Sequence, residues 1–250
     1  MKLFVAVTAH ATLLPHFLRH YQAAGVSQFF ISIEAGLEES VERMAAGFPV
    51  EFVRGLDTAE SIEGGTEAVT RMRMKFARPD EWVVLTDLDE FQAHPQGVDA
   101  TAAEADREGA NVVRGYMIDR VATDGELKPI GPDDDLFDVF AERCYVTALL
   151  QGGLSYKCAL VKNHLESGRT AEGLSLAHHH MMGERIATAT VDIHHFKWNS
   201  EALDRMKTAI ARTQAAGQPF WVEYQRVLEH LETHGRLQWQ DFTDTPPRAG

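Results

Sequence analysis

The chain has 250 residues, 44% of them hydrophobic and 24% charged, and a formal net charge of -13. That length supports one substantial core, and the balance of residues is that of a globular protein, not a disordered or membrane-embedded one. The negative charge speaks against a nucleic-acid or anionic-membrane partner, because both present phosphate that this field repels.

Cys144 and Cys158 are the two cysteines, too few for a disulfide framework, so a reducing, cytoplasmic setting with both thiols idle is expected. Residues 1–14 imitate a secretory signal, with one lysine ahead of an apolar run. The run is short and β-branched, His10 interrupts it and an amphipathic helix follows directly, so it reads as a strand. No segment reaches the ~20 apolar residues that span a bilayer, so no transmembrane segment is expected.

In chain order, residues 2–8 read as a buried strand and 12–24 as a helix, with Thr12 as N-cap and Pro15 in its first turn. Gly25 ends that helix, and 26–33 supplies a second strand, so the chain opens with a βαβ unit and a parallel sheet. A helix over 38–46, a strand over 50–53 and a helix over 59–76 follow, and Pro79 precedes a strand over 81–86. A helix over 98–108 and a strand over 111–117 continue the alternation. Regularity fades between 119 and 190, where Pro129, Pro132 and Gly152-Gly153 mark loops around a strand at 156–161. Helices over 200–216 and 220–234 close the chain. With no linker-like stretch, the expectation is a single domain over 1–250. Residues 1–120 form a nucleotide-binding half, 121–199 an acceptor side and 200–250 the C-terminal helices.

The sharpest local signal is the tryptophan-led strand from Trp82, which runs into Asp87-Leu88-Asp89-Glu90-Phe91. Ligands of open α/β sheets bind at the carboxyl edge of the strands. In extended backbone Asp87 and Asp89 face one side, toward a shared cation, while Leu88 turns into the core. Hard carboxylate oxygens suit Mn²⁺ or Mg²⁺, which keep waters and draw further ligands from substrate phosphates. The bland alternative is a solvated acidic turn.

Histidine is the second signal, in the runs His178-His179-His180 and His194-His195. Imidazole serves as a metal ligand or a general base. His195, on a strand at 192–198 that leads to a helix, is the leading candidate for a further ligand, whereas 178–180 also reads as an exposed loop tract. Lys157 stands alone in an apolar strand, and a buried ammonium needs an anionic partner, which a donor phosphate would provide. Lys197 poses the same question. Candidate bases for an acceptor hydroxyl are Asp119, Asp124, Asp133, Asp134, Asp135, Glu142 and Glu172.

Taken together, these pieces resemble the glycosyltransferase family 2-like proteins of the GT-A fold, in particular the branch related to glycosyltransferase family 92. The matching residues are Phe17 to Tyr21 with Gly25-Val26, the strand at 29–33, and Trp82 with Asp87 to Phe91. The strand from Lys157 to Val161 and the element from His194 to Trp198 complete the set. The resemblance implies an α/β fold with a mostly parallel central sheet flanked by helices. It also implies transfer of a sugar from a nucleotide-diphosphate donor to a carbohydrate or lipid-linked acceptor, with inversion, and a metal at Asp87 and Asp89. Two features depart from the pattern. The first helix lacks an early acidic residue, and the aspartate usual after the second strand is replaced by Glu34, with Asp57 as the substitute donor contact. The rival readings are a metal-dependent hydrolase using the histidines, and a non-catalytic carbohydrate-binding relative.

Overall fold

The computed structural model describes residues 1–8, 11–54, 62–168, 178–215 and 217–246, with the backbone alone for 62–64. The first helical elements and strands are β1 (Lys2–Val7), α1 (Leu14–Ala23), β2 (Gln28–Ile33), α2 (Glu38–Met44) and β3 (Val50–Val53). Then come α3 (Ile62–Phe76), β4 (Trp82–Leu85), β5 (Glu90–Gln92), α4 (Val98–Arg107) and β6 (Val112–Val121). The remainder comprises α5 (Leu136–Val139), β7 (Glu142–Cys144), β8 (Tyr156–Lys162), β9 (Val191–His195), α6 (Ala202–Ala215) and α7 (Trp221–His234).

The protein is a mixed α/β structure built on a large central sheet in the order β3-β2-β1-β4-β8-β6-β9-β5, with β7 on β6. β3, β2, β1 and β4 are mutually parallel, as the opening βαβ pattern predicts. Their near-continuous apolar runs follow from burial on both faces, since helices cover a parallel sheet. β8 enters antiparallel to β4 and to β6. Among the described residues no helix is long and apolar enough to cross a membrane.

One cap differs from the sequence expectation. Residues 11–13 form a single tight 3₁₀ turn, α1 begins at Leu14, and no side chain caps it, so Thr12 is not its N-cap. Pro15, held in the first turn, fixes the entry instead, since its missing N–H costs nothing there.

Contacts divide the described residues into two compact units, one from 1–116 and 156–193, the other from 117–155 and 194–250. In the first, Phe4, Phe30, Val69, Met72, Val83, Leu85 and Cys158 form a core around the sheet. Phe30 stacks on both Phe4 and Phe76, with ring centroids 4.8 Å apart in each pair. The buried rings of Phe4 and Phe30 each contribute roughly 1.5–3 kcal/mol by leaving water. In the second, Trp198, Met206, Val227, Leu228, Leu231 and Leu237 pack with Val121, Cys144 and Val146. Burial pushes both thiols up, to about 12, which keeps them protonated and unreactive.

Gly125 ties the second unit together. Leu237 donates its N–H to the Gly125 carbonyl (2.9 Å) and lies so close that a Cβ on Gly125 would sit 2.0 Å from the Leu237 carbonyl oxygen. Its φ of +74° also favours glycine. Gly125→Ala is expected to lower stability by roughly 2–4 kcal/mol, from overpacking and backbone strain together. Urea denaturation measures it, and an alanine variant as stable as the parent would contradict this packing.

Candidate functional site

The acidic segment sits at the carboxyl end of β4, but as a turn and not as extended strand. The Glu90 N–H donates to the Asp87 carbonyl at 3.1 Å, and the Glu90 carboxylate accepts the Asp87 N–H at 3.1 Å. The alternation expected of 87–89 therefore does not hold, and Leu88 is only half-buried. The turn's own hydrogen bonds take the place of continued pairing, and β4 ends at Leu85. Asp87 projects to solvent with a side chain 57% exposed, Asp89 is half-buried beside it, and Glu90 is buried.

Register explains the partner of this turn. β4 and β8 pair antiparallel as far as Val84 opposite Leu160, and Asp87 and Lys157 lie three residues further on, past the end of that pairing. The Lys157 ammonium, buried at the start of β8, bonds to Asp87 and lies 2.5 Å from Glu90. The negative charge that a buried lysine requires thus comes from two protein carboxylates. Burial would lower the Lys157 pKa, yet Asp87 and Glu90 hold it above its usual value. Crowding alone would raise Asp87, but Lys157 and then His178 outweigh it and hold the carboxyl below its ordinary range, with Asp89 pushing back.

The frame behind the turn is made of neutral groups. Tyr21, on α1, donates its hydroxyl to the Glu90 carbonyl (2.9 Å) and accepts from the Gln92 N–H (3.1 Å). Gln92 Nε2 donates to the Leu85 carbonyl at 2.8 Å, which holds β5 against the end of β4. The sequence marks Tyr21 only as part of an apolar stripe, and Glu90 only as a neighbour of the aspartates.

The histidine tract divides by residue. His178 is buried, against the exposed-loop alternative, while the side chain of His180 is 48% exposed and pairs with Glu184 at 2.9 Å. The His178 carbonyl accepts the Cys158 N–H (2.6 Å), and His179 Nδ1 lies 2.5 Å from the Tyr156 carbonyl, so the tract is stitched to β8 on either side of Lys157. Burial lowers both imidazoles to about 4, which leaves them neutral near pH 7.

In the second unit a different pair forms. Asp119, on β6, accepts from the Thr147 N–H (2.7 Å), the Thr147 hydroxyl (2.7 Å), His195 Nδ1 (2.9 Å) and Trp198 Nε1 (2.9 Å). Burial would raise its pKa, but His195 and then Thr147 hold it below the ordinary carboxylate range. A carboxylate accepts only, so His195 carries its proton on Nδ1. Among the other carboxylates considered as bases, Asp124 pairs with Lys128, Asp134 accepts from the Gly131 N–H, and Asp135 caps α5. Asp133 is exposed, and Glu142 is half-buried on β7. Lys197 donates to Gln151 Oε1 at 2.7 Å and lies over the Trp198 and Tyr224 rings. Asp57, Glu172 and His10 lie outside the described residues.

Donor chemistry tests whether a divalent cation suits the turn. Asp87 and Asp89 offer hard oxygens, and the buried His178 Nε2 has no hydrogen-bond partner among the described residues. No three His, Cys, Asp or Glu side chains among the described residues gather into a metal cage. The set fits a hard ion that completes its shell with water and substrate phosphate, and does not resemble a closed zinc site. A hollow of about 480 Å³, lined by Ser27, Gln28, Phe48, Pro49, Val50 and Glu51, lies at the amino ends of β2 and β3, the edge away from Asp87.

Two substitutions probe these charge centres. Lys157→Met leaves Asp87 and the buried Glu90 without their ammonium and is expected to cost about 3 kcal/mol at neutral pH. In the parent, Asp87 titrates below its unfolded value, so its contribution is complete above the ordinary carboxylate range and is lost as pH falls through the depressed value. In Lys157→Met the sign reverses, and thermal unfolding between neutral pH and about pH 5 is expected to show stability rising on acidification. Asp119→Ala strands four donors and is expected to cost roughly 3–5 kcal/mol by chemical denaturation; a loss under about 1 kcal/mol would refute the cage.

No protein-family model and no curated protein matches the chain. Solved structures are similar at a distance. A UDP-glucose pyrophosphorylase complexed with UDP-glucose has a TM-score of 0.32 at 11% identity, over 51% of this chain and 60% of its own. A 4-diphosphocytidyl-2C-methyl-D-erythritol synthase has 0.35 at 12% identity, over 65% and 74%. The 4-diphosphocytidyl-2C-methyl-D-erythritol synthase of Anaerococcus prevotii has 0.39 at 8%, over 85% and 95%. This chain thus spans about 60% of the pyrophosphorylase's length. Scores this low carry no argument for a shared activity, and the fold assignment rests on the strand pairings themselves.

Proposed function

We propose that the chain is a metal-dependent glycosyltransferase that moves a sugar from a nucleotide-diphosphate donor to an acceptor hydroxyl with inversion, using the turn of Asp87 and Asp89. The observation that carries this reading is an order of charge. An exposed carboxylate, Asp87, stands at the carboxyl lip of β4 in front of a buried ammonium, Lys157. That order complements a cation bound to a diphosphate, with carboxylate toward the metal and ammonium toward phosphate. The sequence resemblance to the GT-A glycosyltransferases points the same way.

Asp89 and Asp87 would hold Mn²⁺ or Mg²⁺, which when bound supplies charge neutralisation to the departing nucleoside diphosphate. Lys157 keeps its proton throughout the physiological range because two carboxylates raise its pKa, so it presents a fixed positive charge. Glu90, buried and bonded to Lys157, aims that ammonium. Tyr21 and Gln92 hold the turn in shape before substrate arrives, which spares reorganisation during transfer.

A thermal-shift panel of nucleoside diphosphates and diphospho-sugars, with and without Mn²⁺, tests the reading. A matching ligand at a hundred times its Kd stabilises the fold by about 2.7 kcal/mol, and the shift is expected to require the metal. Asp89→Asn is expected to melt like the parent while losing more than about 99% of turnover, the scale of a lost transition-state electrostatic contact. Turnover at the parental rate in that variant, or no nucleotide response with Mn²⁺ present, would sink the proposal.

A further inference from the structure

A buried polar atom without a partner costs free energy in the unliganded protein, so it marks a place where a ligand repays the deficit. His178 Nε2 is such an atom. The residue is 3% exposed, and Nε2 meets no hydrogen-bond partner among the described residues. The backbone leaves the imbalance in place, because the His178 carbonyl is fixed by the Cys158 N–H and His179 is fixed to Tyr156, on either side of Lys157.

The charges that face His178 are Asp87, Lys157 and Arg73. Arg73 is itself buried and immobilised, donating to the carbonyls of Asn163 (2.9 Å) and Leu165. Asp87 and Glu90 already pair with Lys157, so the surroundings are close to charge balance and a phosphate would enter with the cation that it brings. A neutral imidazole with a proton on Nε2 meets an anionic oxygen as a donor.

We propose that His178 is a diphosphate contact, donating Nε2–H to a phosphate oxygen of the ligand that shares its cation with Asp87 and Asp89. This rests on the reading of the acidic turn as a cation and diphosphate site. The pyrophosphate group is the shared chemistry, whether it arrives as inorganic pyrophosphate or within a nucleotide.

The test uses the full chain and two variants. His178→Leu fills the buried space without a donor, and His178→Gln restores an N–H near the position of Nε2. Calorimetric titration of inorganic pyrophosphate and of nucleoside diphosphates, in excess Mn²⁺, is expected to show roughly ten-fold weaker binding of both to His178→Leu. His178→Gln is expected to stay within about three-fold of the parent, a loss smaller than a missing hydrogen bond gives. Unliganded His178→Leu is expected to melt no lower than the parent, because it loses an unsatisfied polar atom. Binding of Mn²⁺ alone, followed by electron paramagnetic resonance, is expected to be unchanged.

Equal diphosphate affinity in His178→Leu would overturn the inference while leaving the functional reading standing. A His178→Leu variant that melts well below the parent would mark a structural imidazole, and one that loses Mn²⁺ in the absence of phosphate would mark a metal ligand; either result overturns it. If the parent binds neither pyrophosphate nor any nucleoside diphosphate, the functional reading and this inference fall together.

Discussion

An ammonium group taken out of water must be answered by negative charge, and at Lys157 that demand organises the first unit's chemistry. The lysine is placed by the β4–β8 register, so the same backbone pairing that builds the sheet brings it to Asp87. Glu90 supplies the second carboxylate from the turn that ends the pairing. The sheet edge, the turn and the charge cluster are therefore one construction. Altering the register would shift all three at once, because a one-residue slip moves every side chain of a strand to the opposite face.

The second unit solves the opposite problem. Asp119 is an anion inside a core of Trp198, Met206 and the α7 leucines, and it is satisfied almost wholly by neutral donors. Its bond to His195 fixes which ring nitrogen of that histidine carries the proton. A polar cluster of this kind rigidifies its surroundings when every member is satisfied. It gives His195 a defined place in β9 and explains why a histidine sits in an otherwise apolar setting.

Much of this was legible in the sequence because burial leaves a periodic trace. The opening strand, helix and strand, the tryptophan-led β4 and the two closing helices all follow from apolar spacing. A lone charge in an apolar strand also proved a dependable mark, since Lys157 is buried and ion-paired, whereas nothing in linear order set Asp119 apart from the other candidate bases. The turn at Asp87 stood in the sequence only as the alternative, because the same residues alternate acceptably as strand until the Glu90 carboxylate accepts the Asp87 N–H and decides against it. Nor does linear order reveal that Tyr21 braces that turn, since the two meet only after the sheet is assembled. His178 was hidden for a related reason: in a run of three histidines, only the strand beside it determines which one is enclosed.

The two compact units are each discontinuous in sequence, and of their three seams two fall inside β6 and β9 and one just ahead of β8. No single truncation point yields either unit whole, so a fragment ending near residue 120 would lack β8 and with it the lysine opposite Asp87. During synthesis, the acidic turn emerges from the ribosome about seventy residues before its counter-ion does. The nascent chain must therefore carry those carboxylates uncompensated until β8 arrives, which makes β8 the strand whose docking closes the first unit electrostatically.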